Sequence, residues 1–490
     1  MYQGGTSAAR LHSQPKPYQR VNALSQAIRA IALFFITAAA HANDPLMVMS
    51  RALSSPAASQ RPVQACDSAS PAIQKWGLAQ VVERTLCANP ETRAAWAAAR
   101  TRAAELGQAL GAYLPELNLS AGLSRTGDDV LPNDHWAWQT GLSASYLLYD
   151  FGGRDANRKQ AEALLAAANL GHETVVRDLF RDAVSAYYRL VIARGAVMAA
   201  RESEAAALET VKASEARVKV GVAVPAERLQ AQTAYSQRRL ERIRAEGEAA
   251  TLQGELASLM ALPANSPLEL TEPGELLSGL LLENSMEETG RLIEIAKQRR
   301  PELVAAESRV AASRAAVSSA KAGGKPVLTA QADTRYVDSG PADGWNSSLG
   351  INVSVPVFTG YKSTYRVRAA QEQVRQSEAE RDRIANVVAL DVWRGWQALK
   401  TGGEAYVQAL DLLESAQAAE KLTRGRYQAG LGSVLDVLNA QANTAFARQT
   451  QLQTRYSLDI SRADLARAVG DLVWGVLDSR KIALDDTLKP

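Results

Sequence analysis

Four stretches of this chain alternate apolar and polar side chains with a period of two. Leu117, Leu119, Ala121 and Leu123 alternate with Asn118, Ser120, Gly122 and Ser124. Trp136, Trp138, Leu142, Ala144, Tyr146 and Leu148 alternate with Ala137, Gln139, Gly141, Ser143 and Ser145. Further on, Leu328, Ala330, Ala332 and Tyr336 alternate with Thr329, Gln331, Asp333 and Arg335, and Leu349, Ile351, Val353 and Val355 with Ser348, Gly350, Asn352 and Ser354. A strand sends successive side chains to opposite faces, so each stretch predicts a strand with one apolar face, at about 116-126, 136-149, 327-337 and 345-358. Elsewhere the pattern is helical. No proline falls between Pro132 and Pro225 or between Pro356 and Pro490. The predicted long helices run over about 152-220, 225-261, 361-429 and 433-469. At the rise of an α-helix the longer two reach on the order of 100 Å, too long for a compact domain, which points to coiled-coil or helical-barrel packing. Gly195, Gly402 and Gly403 fall midway along them and are expected to mark a local weakening where extra elements pack.

The two halves repeat one plan. Asn89-Pro90-Glu91 returns as Arg300-Pro301-Glu302, and Pro115 as Pro326. Leu148-Tyr149-Asp150 returns as Val357-Phe358-Thr359, Val220-Gly221 as Ala429-Gly430, and Leu229-Gln230-Ala231-Gln232 as Leu438-Asn439-Ala440-Gln441. Each copy reads helix, strand, strand, very long helix, turn, long helix. The predicted organisation is an export signal at 1-42, an N-terminal arm and first helix at 43-88, repeat one at 89-262, a linker at 263-298, repeat two at 299-470 and a tail at 471-490.

Composition narrows the classes. A formal charge of +3 argues against a nucleic-acid binder, and four His with two Cys argue against a Cys/His-rich metal protein. Arg10, Lys16, Arg20 and Arg29 precede an apolar run from Ile31 to Ala40 that ends in Ala40-His41-Ala42, a signal-peptidase pattern with cleavage expected after Ala42. A membrane anchor is the alternative, for which the run is short. Asn43 would then lead the mature chain, so no lipidated cysteine stands there. After export, Cys66 and Cys87 are expected to form one disulfide; two unpaired buried thiols are the alternative. No other stretch of 18 apolar residues exists, so a mature chain that enters a membrane must do so as a closed β-barrel.

Ten tilted residues cross an outer membrane, but about eight strands are the minimum for a closed barrel. Four strands therefore require identical partners: a trimer gives 12 and a dimer eight, and the arithmetic leans only weakly to the trimer. Aromatic residues near the strand ends (Trp136, Trp138, Tyr146, Tyr149, Tyr336, Trp345, Phe358, Tyr361) suit the two membrane interfaces. A soluble β-sandwich would show the same alternation, without the flanking helices. Both strand pairs go out and return, which puts the helices in the periplasm and the loops at 126–135 and 337–344 outside.

Nearly the whole mature chain resembles the TolC family of outer-membrane efflux proteins. The likeness rests on the doubled plan, on Leu148-Tyr149-Asp150-Phe151-Gly152-Gly153 leading into a long helix, and on the string from Arg426 to Gln441, which is similar to the family's periplasmic turn. The resemblance implies an α+β membrane protein. Its form would be a trimeric channel-tunnel, a shared 12-stranded antiparallel β-barrel on a long periplasmic α-helical barrel. An equatorial belt would come from the linker and the tail. It further implies an export duct served by a periplasmic membrane-fusion adaptor and an inner-membrane ABC transporter, or alternatively an RND pump. The cargo would be a protein toxin in type I secretion, or else small molecules. A periplasmic coiled-coil scaffold without a pore is the reading of another class.

Nothing suggests catalysis, a cofactor or a metal. Outside the signal the only histidines are His135, expected in a loop, and His172, expected as a solvated or packed helix residue. Functional residues are expected at the helix turns. Gly221 and Gly430 allow the chain to reverse. The acids Glu227 and Asp436 follow at the same spacing, and three copies of each would ring a pore with negative charge. Capping of the following helix is the competing role, and both can hold at once. By resemblance these acids lie at the family's constricted end, and Tyr427 matches its gate tyrosine. The family pattern has a basic residue where Gly432 stands and a second acid where Asn439 stands, so fewer ionic locks are expected here. Arg424 and Arg426 are both candidate partners for Asp436. The turn tips, with Gly221, Val222 and Val224 in one and Gly430, Leu431, Gly432 and Ser433 in the other, are the expected adaptor-docking surface.

Overall fold

A computed structural model describes residues 44–53, 75–126, 135–271, 286–338 and 343–470. The signal segment, Cys66, the two strand-to-strand loops and the tail at 471–490 lie outside the described residues. The helices are α1 (Leu78–Ala88), α2 (Pro90–Gly111), α3 (Gly153–Lys219), α4 (Pro225–Leu259), α5 (Met286–Arg299), α6 (Pro301–Ala322), α7 (Lys362–Gln428) and α8 (Val434–Val469). The strands are β1 (Glu116–Thr126), β2 (His135–Tyr149), β3 (Val327–Asp338) and β4 (Asp343–Ser354). His135 thus opens β2 rather than sitting in a loop. The last strand stops at Ser354, short of the expected 358, because Pro356 has no N–H to give a ladder.

The sheet order is β1-β2-β3-β4, antiparallel throughout. The registers place Leu117, Ala144, Ala332 and Leu349 in one row across the sheet, and Asn118, Ser143, Asp333 and Ser348 in the adjacent row on the other face. One face is therefore apolar and the other polar. Among the described residues nothing covers the apolar face: Leu119 is 68% exposed and Leu349 86%. Burial of such side chains normally drives folding, so an uncovered face of this size needs another apolar medium. Strands β1 and β4 are both open edges. Among the described residues no helix is long and apolar enough to cross a membrane.

Both 67-residue helices, α3 and α7, start at the same end of the sheet and run away from it. Helix α3 packs along α2, α6, α4 and α8, and α7 packs along α6 and α8. Next to the sheet the helices follow the order α2, α3, α6, α7. At the far end the order is α4, α3, α8, α7. Gly195 faces Leu452 of α8 across a gap that a Cβ would narrow to 3.1 Å, a close approach of two long helices, and beside it Arg194 donates to Leu268 O of the linker, an extra element packed at this level.

Among the described residues the two largest core clusters sit at mid-height and are related by the repeat. Tyr187, Leu256, Val81 and Val82 bury one against α1; Trp396, Leu465, Leu292 and Ala296 bury the other against α5. The linker joins the first cluster through Trp76, whose N–H donates to Glu269 O at 2.6 Å, and through Tyr187, whose hydroxyl donates to Thr271 O at 2.6 Å. Cys87 on α1 is disulfide-bonded.

The repeat also builds two equivalent clamps. Asn89 caps α2 by accepting from Glu91 N, while its amide donates to Leu259 O at the end of α4 (3.1 Å). Arg300, its counterpart before α6, donates to Ala468 O at the end of α8 (3.3 Å). Arg300 is 4% exposed, and its charge is met by Glu302 at 3.0 Å and Asp391 at 3.4 Å.

Candidate functional site

Each hairpin of long helices ends in the same turn. Helix α3 closes with Gly221 N–H donating to Val218 O and Val222 N–H to Arg217 O, both 3.0 Å. Helix α7 closes with Gly430 N–H donating to Tyr427 O and Leu431 N–H to Arg426 O, at 3.0 and 2.8 Å. These bonds satisfy the last carbonyls of each helix and need a left-handed residue at the turn; Gly221 has φ +77 and Gly430 φ +79. The tips leave aliphatic side chains in solvent: Val222 is 67% exposed and Leu431 72%, with Val224 also exposed.

The two acids that follow the turns do different work. Asp436 and Ser433 form a reciprocal cap, each side chain accepting the other's backbone N–H at 3.2 Å. Those bonds from Ser433, helped by the charge of Arg426, hold the Asp436 carboxyl below its usual range. Glu227 occupies the equivalent place on α4, but Val224 stands where Ser433 does and offers no hydroxyl. Pro225 starts that helix, and Glu227 is half-buried with Oε2 shielded and unpartnered among the described residues.

Tyr427 is buried, 5% exposed, in a cluster with Val211, Ala231, Val434 and Val437 that joins both hairpins. Its hydroxyl is shielded and has no partner among the described residues. Burial, reinforced by Glu227, pushes that hydroxyl above the usual tyrosine range against the pull of Arg217. Arg217 of α3 lies over the Tyr427 ring at 4.6 Å and donates to Tyr427 O at 3.0 Å. It is one of several ties between the hairpins that the sequence did not single out, with Gln441 donating to Thr210 Oγ1 at 3.2 Å and Arg448 paired with Glu202 at 2.6 Å. A signal existed: Arg217 stands before Gly221 as Arg426 stands before Gly430.

The two arginines expected on Asp436 do not pair with it. Arg424 forms an ion pair with Glu420 one turn back on its own helix. Arg426 donates to Leu431 O at 3.5 Å and reaches Asp436 only through its field. Arg426, Gly432, Asp436, Asn439, Asn443 and Phe446 line a groove of about 790 Å³ between α7 and α8. Here the structure brings Asp436, Asn439 and Arg426 together, while Glu227 acts on Tyr427 only through its charge, near the joint with α3. His172 is half-buried on α3, where burial lowers its pKa. Among the described residues no group of His, Cys, Asp and Glu could hold a metal.

The family model of the outer membrane efflux protein matches twice, over residues 81–262 and 292–471, one match to each repeat. The chain belongs to this TolC-like family. CyaE of Bordetella pertussis is 27% identical over 424 residues, covering 84% of this chain and 88% of that protein. The pyoverdine export outer membrane protein OpmQ of Pseudomonas aeruginosa is 27% identical over 409 residues, 80% of this chain and 85% of its own. Among solved structures, VceC of Vibrio cholerae superposes with a TM-score of 0.69 at 20% identity, covering 80% of this chain and 96% of that one. The open state of MtrE from Neisseria gonorrhoeae gives 0.69 at 19% identity, with 80% and 88% covered. The chain is an outer-membrane efflux or export channel with the channel-tunnel fold of these relatives.

Proposed function

We propose that three copies of this chain close a 12-stranded barrel and form the exit duct of a type I secretion system for a polypeptide toxin. The observation that carries the duct is the four-stranded sheet, with its uncovered apolar face, its polar face and two open edges. Closure by identical copies pairs the edges and turns the polar face inward. That lining consists largely of short side chains such as Asn118, Ser120, Ser143, Gly350 and Asn352, with Asp333 and Arg335 as charged members, and it wets the duct along its length. An unfolded polypeptide suits such a wall. Energy comes from an inner-membrane ABC transporter, and a periplasmic membrane-fusion adaptor seats its tips against Val222, Val224, Leu431 and the glycines beside them. Cys66 bonded to Cys87 staples the N-terminal arm to α1, and a signal peptide ending at Ala42 delivers the chain.

The periplasmic tips form the gate. Asp436 and Asn439 face the pore, three Asp436 carboxylates making one acidic ring. Tyr427 and Arg217 hold the two hairpins of each copy together. Replacing both Asp436 and Glu227 with Ala raises the conductance of the channel in planar bilayers or weakens its cation preference. Unchanged values in both would remove the gate from these residues. A second reading, small-molecule efflux with an RND pump, is favoured by relatives whose names specify pyoverdine export and solvent efflux. Deleting the gene and comparing the secreted proteins with the retention of a fluorescent efflux dye separates the two: loss of a secreted polypeptide with unchanged dye retention supports secretion, and the converse supports efflux.

A further inference from the structure

At the helical end of the sheet, β2 stops at Tyr149 and α3 begins at Gly153, while α6 stops at Ala322 and β3 begins at Val327. Between these junctions α3 and α6 leave a groove of about 350 Å³ lined by Phe151, Asp155, Lys159, Ser318, Lys321 and Lys325, among others. Tyr149 pairs with Leu328, which places it on the apolar face of the sheet. The Phe151 ring packs edge-on against Tyr149 with centroids 4.7 Å apart, so the groove opens on the side that continues the apolar face. The Lys325 ammonium lies 5.6 Å from the centre of the Phe151 ring.

The charges in this groove are unequal. Asp155, its only lining carboxylate, already holds Lys159 at 2.7 Å and Arg158 at 2.8 Å. Among the described residues no carboxylate pairs with Lys321 or Lys325, and both are exposed. Two ammonium groups without a carboxylate partner among the described residues therefore stand beside an exposed aromatic pair at the rim of a sheet that lies in a membrane. Aromatic rings favour the boundary between hydrocarbon and headgroups, and ammonium groups at that level attract anionic lipid. Both walls of the groove belong to one chain, inside the α2-α3-α6-α7 order, so copies that meet at α2 and α7 leave it open.

We propose that this groove binds the phosphate headgroup of an anionic phospholipid in the periplasmic leaflet, with Lys321 and Lys325 on the phosphate and the acyl chains along Tyr149, Phe151 and the apolar face. The proposal rests on that face lying in the membrane. The occupant is a lipid and not a soluble anion because the basic groove and the apolar surface are continuous.

Native mass spectrometry of the full-length protein purified in detergent tests it, with phosphatidylglycerol and phosphatidylcholine of identical chains as probes. The wild type retains more phosphatidylglycerol than phosphatidylcholine. The Lys321→Gln, Lys325→Gln double variant loses that preference by roughly tenfold or more, and Lys321→Arg with Lys325→Arg keeps it. Excess inorganic phosphate leaves phosphatidylglycerol in place. Equal retention of the two lipids by the wild type, or the same preference in the Gln variant, would overturn the site. Displacement by inorganic phosphate would overturn the lipid assignment. A protein that stays in solution without detergent and retains neither lipid would instead overturn the membrane placement on which the site depends.

Discussion

Asp436 and Glu227 occupy equivalent places after equivalent turns, yet their neighbours give them different chemistry. Ser433 supplies the bonds that keep Asp436 charged. A carboxyl whose folded pKa is lowered stabilises the fold above its unfolded pKa, and that contribution is lost as pH falls through the folded value. The Asp436 charge therefore persists through the ordinary carboxylate range, near pH 4, and disappears only below it. Reversal potentials measured against pH should show cation preference holding down to that range and fading at more acid values. Ser433→Ala should move the fade to higher pH, and a loss of preference near neutrality would contradict the assignment. Arg217→Ala should raise bilayer conductance by freeing Tyr427 from α3, whereas Arg424→Ala, which breaks only a pair within α7, should leave it unchanged. The acids and both turn glycines were legible in the sequence because the repeat writes them twice, whereas Tyr427, whose counterpart is Val218, was legible only through the family likeness. Arg217 was not, because its partner is a backbone carbonyl on the other hairpin, and no spacing along one helix encodes that contact.

The elements were legible where one physical rule governs them. Period-two alternation marked the strands, and long proline-free runs marked the helices. The end of β4 was missed because Val355 and Val357 continue the apolar pattern past the proline that ends the ladder. Helix junctions are where tertiary partners decide. Asn89 and Arg300 perform one task with different side chains, an amide in one copy and a buried cation in the other. Asn89→Ala removes a cap and should cost the fold about 1 kcal/mol. Arg300→Ala removes the near cation from Glu302 and Asp391, leaves them the longer pairs to Arg467 at 3.9 Å, and should cost about 2 kcal/mol. Equal shifts of the two variants in urea unfolding would show the clamps to be alike in energy. At the far end of the molecule α4 and α7 are the outer helices of each chain, and both carry exposed aliphatics, Ile243 on one and Leu410 on the other, at matching distances from their turns. Cysteines at these two positions should cross-link neighbouring copies under mild oxidation, giving two- and three-chain bands on a non-reducing gel. A monomer band alone would place the seam elsewhere.

At the scale of the whole molecule, every argument returns to unfinished surfaces. Among the described residues the sheet has an apolar face with nothing over it and two unpaired edges, and the helical wall ends in two aliphatic ridges. One operation, rotation of identical copies about an axis parallel to the long helices, answers the edges and the ridges together, and a lipid bilayer answers the face. The sequence carried this incompleteness in its strand count but could not choose a copy number, since a dimer and a trimer both close on paper. Curvature of the assembled wall makes that choice, and it arises between chains. The direct test is the mass of the native particle released from membranes by detergent, with the detergent contribution subtracted. Three chains per particle is the result expected, while a detergent-free, water-soluble single chain that retains its strand signal would contradict the account.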